Sequence, residues 1–115
     1  MPKAAIPDGS VSSDPEEIRV QSSGRDADII RWSDIGRLAI TVRCDGDASP
    51  RLDWILEHVD GRTTLHVPMG MAGEHDLVMT MQVRLHGFDR MAVVEALSAP
   101  KSARFEVWDR SWPLE

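Results

Sequence analysis

Residues 52–69 read Leu-Asp-Trp-Ile-Leu-Glu-His-Val-Asp-Gly-Arg-Thr-Thr-Leu-His-Val-Pro-Met. Asp60-Gly61 is a preferred dipeptide of the two-residue type I′ hairpin turn. A turn there pairs Val59 with Arg62 and fixes every pair further out. Leu52 then faces Met69, Trp54 faces Val67 and Leu56 faces Leu65, all six apolar and on one face. Asp53 with Pro68, Ile55 with His66 and Glu57 with Thr64 fall on the other face. Side chains alternate with a period of two, so a slip of one residue would mix the faces. The pattern predicts two strands, Leu52–Val59 and Thr63–Met69. Pro68 has no N–H to donate, which ends its strand or puts it at a sheet edge.

Upstream, Arg37–Arg43 alternates in the same way. Leu38, Ile40 and Val42 point to one side, and Ala39, Thr41 and Arg43 to the other. Cys44 continues the inward series and reads as a small core hydrophobe. Residues 45–51 are a polar loop. Asp28–Trp32 and Glu17–Ser22 are two further strand candidates, separated by the turn cluster Ser23-Gly24-Arg25-Asp26. Residues 1–16 carry Pro2, Pro7, Pro15, Gly9 and several serines. That composition buries too little apolar surface to offset ordering entropy, so it predicts a disordered tail. One domain over residues 17–115 is expected.

Downstream the period changes. Leu77, Met81 and Leu85 recur every four residues with Val78 beside them, which predicts an amphipathic helix over Glu74–Leu85. Gly87 stops it. Asp89 is an N-cap for a second helix, Arg90–Leu97, with Met91, Val94 and Leu97 as its buried face. Ala103–Trp108 is a last strand, with Phe105 and Val107 on one side and Trp108 on the other. Strands succeeded by helices and one closing strand indicate an α+β fold. We expect an antiparallel sheet of about five to six strands covered by two helices.

The chain has 115 residues, 13 Lys+Arg against 19 Asp+Glu and a net charge of -6. That balance weighs against nucleic-acid binding, which needs a basic footprint. It weighs equally against docking to anionic lipid. A single cysteine excludes a disulfide framework and a cysteine-based zinc site. No apolar run approaches the roughly 18 residues of a spanning helix. The start is too short in apolar residues for a secretory signal. A cytoplasmic location with no integral membrane segment is the resulting expectation.

No catalytic constellation emerges. His58 and His66 lie on opposite faces of the hairpin, and His75 and His86 would stand about 16 Å apart on one helix. No metal site and no cofactor is expected from them. Asp45, Asp47 and Ser49 resemble the opening of a calcium loop, but Pro50 and Leu56 occupy the positions that need glycine and a carboxylate. Gly70-Met71-Ala72-Gly73 lacks the lysine and hydroxyl residue of a phosphate loop. Four tryptophans remain. Trp54 belongs to the core face. Trp32, Trp108 and Trp112 are the candidate binding residues, because exposed tryptophan anchors interfaces.

Trp32-Ser33-Asp34-Ile35, Asp53-Trp54-Ile55-Leu56, Gly87-Phe88-Asp89 and Phe105-Glu106-Val107-Trp108 stand in an order that resembles an uncharacterised family of small bacterial proteins. Those carry W-x-D-[IL], W-[VI]-L, G-F-D and F-x-V-W in turn. The resemblance covers roughly residues 17–109 and implies a domain type, not an activity. A weaker likeness, on Asp28–Val42, is to bacterial pleckstrin-homology-like domains, which implies a bent antiparallel sheet closed by a helix. These readings lead to a non-enzymatic protein-interaction module, acting on a protein partner or through self-association. An immunity- or antitoxin-type inhibitor of a co-encoded toxin is the first alternative, since an acidic chain suits a basic active site. A small-molecule or lipid-binding domain is the other, and it needs a pocket of about 300 Å³ or more.

Overall fold

The computed structural model describes residues 9–22, 24–44, 46 and 49–112. Among the described residues, seven strands and two helices build an α+β fold with two antiparallel sheets. The first sheet has the order β1 (Ser10–Ser13), β2 (Glu17–Gln21), β3 (Asp28–Arg31). The second has the order β6 (Thr64–Pro68), β5 (Arg51–His58), β4 (Ile35–Arg43), β7 (Ala103–Asp109). Helices α1 (Glu74–Arg84) and α2 (Arg90–Leu97) lie between β6 and β7 in the chain.

The expected single sheet of five to six strands is therefore replaced by seven strands in two sheets. The cause is β4. Its edges are taken by β5 and β7, so β3 does not pair with β4, its neighbour in the chain, and pairs with β2. A 3-10 turn, Trp32–Asp34, redirects the chain between β3 and β4.

The tail expected up to residue 16 also gives way to structure, since residues 10–13 form β1. Val11 pairs with Val20 and is buried, and the Val11 N–H donates to the Ala72 carbonyl at 2.8 Å. One apolar side chain and hydrogen bonds on both edges order a segment that its composition leaves unordered. Residues 1–8 lie outside the described residues.

In the β5–β6 hairpin the pairs are those derived from the sequence: Trp54 with Val67, Leu56 with Leu65, Ile55 with His66. The turn is different. The Gly61 N–H donates to the His58 carbonyl at 2.9 Å, and only Gly61 has a positive φ. A type I′ turn would also need Asp60 left-handed. Asp60 instead keeps a negative φ and turns its carboxylate onto the amides of Arg62 and Thr63, at 2.7 and 3.0 Å. The wider loop preserves the register because His58 still pairs with Thr63.

One core joins both sheets and both helices. Leu38, Ile40, Trp54, Leu56 and Val67 form its floor, with Leu77, Met81 and Leu85 from the α1 segment. Cys44 is half-buried against it. The Trp54 indole N–H reaches the Glu74 carboxylate at 2.9 Å, tying β5 to the first turn of α1. On the outer face Arg104 bridges Glu57 and Glu106 across three strands, at 2.9 and 2.8 Å.

Helix α2 reverses the expected facing. Asp89 caps it as expected, accepting from the Met91 and Ala92 amides. Its buried residues, however, are Ala92 and Ala96, while Met91, Val94 and Leu97 are 54–64% exposed. The helix lies against β7 and β4, and only small side chains on the inner face permit so close an approach. Phe88 and Val93 fill the space beside it.

Ala96→Leu should overfill the helix–sheet contact and lower stability by about 1–3 kcal/mol, whereas Leu97→Ser should change it by less than about 0.5 kcal/mol. The sequence periodicity alone would give the opposite order, and urea unfolding separates the two. Gly73 sits at φ 88, and a Cβ there would run into the Val11 carbonyl oxygen. Gly73→Ala should therefore cost about 1–3 kcal/mol and loosen β1, read as faster amide exchange at Val11. Unchanged exchange there would refute the link between the two.

Candidate functional site

The strand order brings the three candidate tryptophans together. Antiparallel pairing of β4 with β7 sets Arg37 opposite Asp109, so the start of β4 lies beside the end of β7. Trp32 precedes β4 and Trp112 comes just after β7. Between them runs a cleft of about 290 Å³ lined by Trp32, Arg84, Leu85, His86, Trp108, Asp109, Arg110 and Trp112.

Trp32 is not the exposed anchor its position suggested. It is 7% exposed, and its indole N–H donates to the Asp14 carbonyl at 2.8 Å. Its ring forms a wall of the cleft. The Arg84 guanidinium stands over that ring, 4.5 Å from the centroid. Such a cation–π contact attracts the guanidinium to the ring.

Trp108 changes side. The β4–β7 register shifts by one residue between Leu38 and Ala39, which makes Val107 the extra residue of a bulge. Trp108 thereby pairs with Leu38 and comes to the core side, where strict alternation would have put it opposite Phe105. It packs in part against the core and donates its N–H to the His86 carbonyl at 2.8 Å. Trp112 is half-buried at the rim, after a turn closed by its amide on the Asp109 carbonyl at 2.9 Å.

Two arginines complete the cleft, and sequence reasoning missed both as site residues. In the sequence Arg84 reads only as a cation at a helix end, and nothing distinguishes Arg110. Arg110 donates from Nε to the Ile35 carbonyl at 3.1 Å and from Nη2 to the Ser33 carbonyl. Its backbone N–H bonds the Gly36 carbonyl. These bonds hold the 3-10 turn and the end of β7 as one unit. Asp109 is the acidic member of the lining. One of its carboxylate oxygens accepts from the Ser111 amide and hydroxyl, and the other meets Arg37 at 3.1 Å.

Elsewhere, a wider depression of about 600 Å³ at the β2–β3 turn is lined by Gly24, Arg25, Asp26 and Asp28 and lies open to solvent. It offers polar loop groups and no walls, so the smaller cleft is the better candidate. His58 rests between Asp34 and Asp60 and accepts the Asp60 N–H at 3.0 Å, which braces the hairpin loop. Among the described residues no group of three or more metal-ligating side chains comes together. Among them, too, no helix is long and apolar enough to cross a membrane. Comparison with protein-family models, with curated proteins and with solved structures finds no match for this chain. The cleft is therefore interpreted from its own geometry.

Three aspartates hold their carboxyls below the ordinary value of 3.8, chiefly by accepting backbone amides. Asp14 accepts from Glu16 and Glu17, with Arg19 and Arg84 adding attraction. Asp60 accepts from Arg62 and Thr63, and Asp109 from Ser111. The unfolded chain takes up these protons first as pH falls. The stability they contribute is complete above the unfolded value and is lost from about pH 4 downward. Urea midpoints measured from neutral pH into this range should fall, and Asp60→Asn should flatten the fall. An unchanged slope in that variant would remove Asp60 from the account.

Proposed function

We propose that this protein is a non-enzymatic interaction module that takes a segment of a partner protein, or of a second copy, into the tryptophan cleft. The observation that carries the reading is the convergence of Trp32, Trp108 and Trp112 on one concavity. Trp32 lies far from the other two in the chain, and only the β4–β7 pairing joins them. Clefts walled by aromatic rings gain affinity from large apolar contact at small entropic cost, and arginine beside them adds directional bonds. The groups that line this cleft suit holding a ligand. Asp109, the carboxylate among them, is tied to Ser111 and Arg37.

A small-molecule site is the second reading, favoured by the same concavity. Its 290 Å³ stands at the floor of the range for such pockets, about 300–1,000 Å³. A pleckstrin-homology-like lipid site has less support, because the two guanidiniums sit among indole rings and not in a basic cluster. An inhibitor of a toxin would use the same cleft only if the toxin inserted a side chain into it.

Trp112 is the position to test, since Trp108 also packs against the core. A displayed library of random peptides, selected on the intact protein, should yield sequences that bind the wild type. Trp112→Ala should weaken them by about 30-fold, the loss expected of an interface anchor, with the thermal midpoint within a few degrees of wild type. Equal binding by the folded variant would refute the cleft as the interaction site.

A further inference from the structure

The chemistry of the cleft narrows what it takes. Arg84 and Arg110 both line it, and among the described residues no carboxylate lies within ion-pair distance of either. Arg84 spends little of its hydrogen-bonding capacity. Its one side-chain bond among the described residues, to the Asp14 carbonyl, is 3.5 Å long, at the outer limit for such contacts. The Asp14 carboxylate is attracted to it but lies beyond ion-pair distance, with its Oδ1 accepting the amides of Glu16 and Glu17. The Arg84 guanidinium stands over the Trp32 ring, and its remaining N–H groups have no hydrogen-bond partner among the described residues. Arg110 is held by two carbonyls, which fixes its plane, and its Nη1 has no partner among the described residues.

Resting on the cleft as the interaction site, we infer that its ligand is an acidic peptide segment, presenting a carboxylate to Arg84 and Arg110 and an adjacent apolar side chain to Trp108, Trp112 and Leu85. A guanidinium fork matches a carboxylate in two parallel hydrogen bonds, and charge-assisted bonds are about twice as strong as neutral ones. Both arginines are exposed residues, so the attraction is open to screening by salt. A nucleic acid also offers anions and stacking bases. It presents a continuous row of phosphates, however, and the lining of this cleft has no lysine or arginine beyond Arg84 and Arg110 to meet them. A short segment with one or two carboxylates matches two guanidiniums in number.

The test is a titration of the intact protein, monitored by calorimetry, with three end-capped tetrapeptides and a thymidine oligonucleotide. The peptides are Glu-Phe-Leu-Glu, Gln-Phe-Leu-Gln and Lys-Phe-Leu-Lys. The glutamate peptide should bind about ten-fold more tightly than the glutamine peptide, and the lysine peptide more weakly than either. That advantage should shrink as salt is raised from about 0.05 to 0.5 M. Arg84→Gln should abolish it and Arg84→Lys should keep part of it, while Trp112→Ala should weaken all three peptides alike. Equal affinity for the glutamate and glutamine peptides, still lost in Trp112→Ala, would overturn the acidic preference and leave the cleft as the binding site. Tighter binding of the oligonucleotide than of the glutamate peptide would overturn it in favour of nucleic acid. Binding of no probe, or binding indifferent to Trp112, would overturn both readings together.

Discussion

The pairing of β4 with both β5 and β7 organises the whole molecule. β4 is the longest strand, and Leu38, Ala39 and Ile40 at its middle are fully buried. Occupying both its edges keeps β3 from pairing with β4, and the first three strands form a sheet of their own. It also returns the last strand of the chain to the residue where β4 begins. Because the two run antiparallel, the segment leading into β4 must lie beside the segment leaving β7. The cleft is a consequence of that return, with Trp32 on one bank and Trp108, Arg110 and Trp112 on the other.

Tryptophan serves this chain in two ways at once. The indole N–H groups of Trp32, Trp54 and Trp108 each find an acceptor within the chain: the Asp14 carbonyl, the Glu74 carboxylate and the His86 carbonyl. These bonds fasten β1 and β2 to the 3-10 turn, β5 to α1, and β7 to the end of α1. A buried indole without an acceptor would be costly, so each bond also settles where its neighbour must lie. The same bonds leave ring faces of Trp32 and Trp108 to line a concavity. Structural anchoring and a candidate binding surface thus share the same side chains.

Helix α2 shows a different economy. Its inner face is alanine, because β7 and β4 come close beneath it. Its large apolar side chains point outward. Periodicity in the sequence identifies which residues share a helix face and is silent about which face meets the sheet. Met91, Val94 and Leu97 form one stripe, Ala92 and Ala96 another, and size alone suggested the wrong one as buried.

Local geometry was legible in the amino-acid sequence. The register of the β5–β6 hairpin came from a turn dipeptide flanked by two alternating runs, since a slip would bury charge. The span of α2 came from its cap at Asp89, and the inward series of β4 from strict alternation. These are properties of neighbours in the chain. The remainder arises only on folding: that Ser10–Ser13 is a strand, that Trp108 turns inward at a one-residue bulge, and that Arg84 and Arg110 stand with three tryptophans at one cleft. Each of these depends on a partner many residues away, the Ala72 carbonyl for β1, Leu38 for Trp108 and the Ser33 and Ile35 carbonyls for Arg110. A hydrogen bond or packing contact between distant segments leaves no periodic trace in either, so only the folded chain brings it into being.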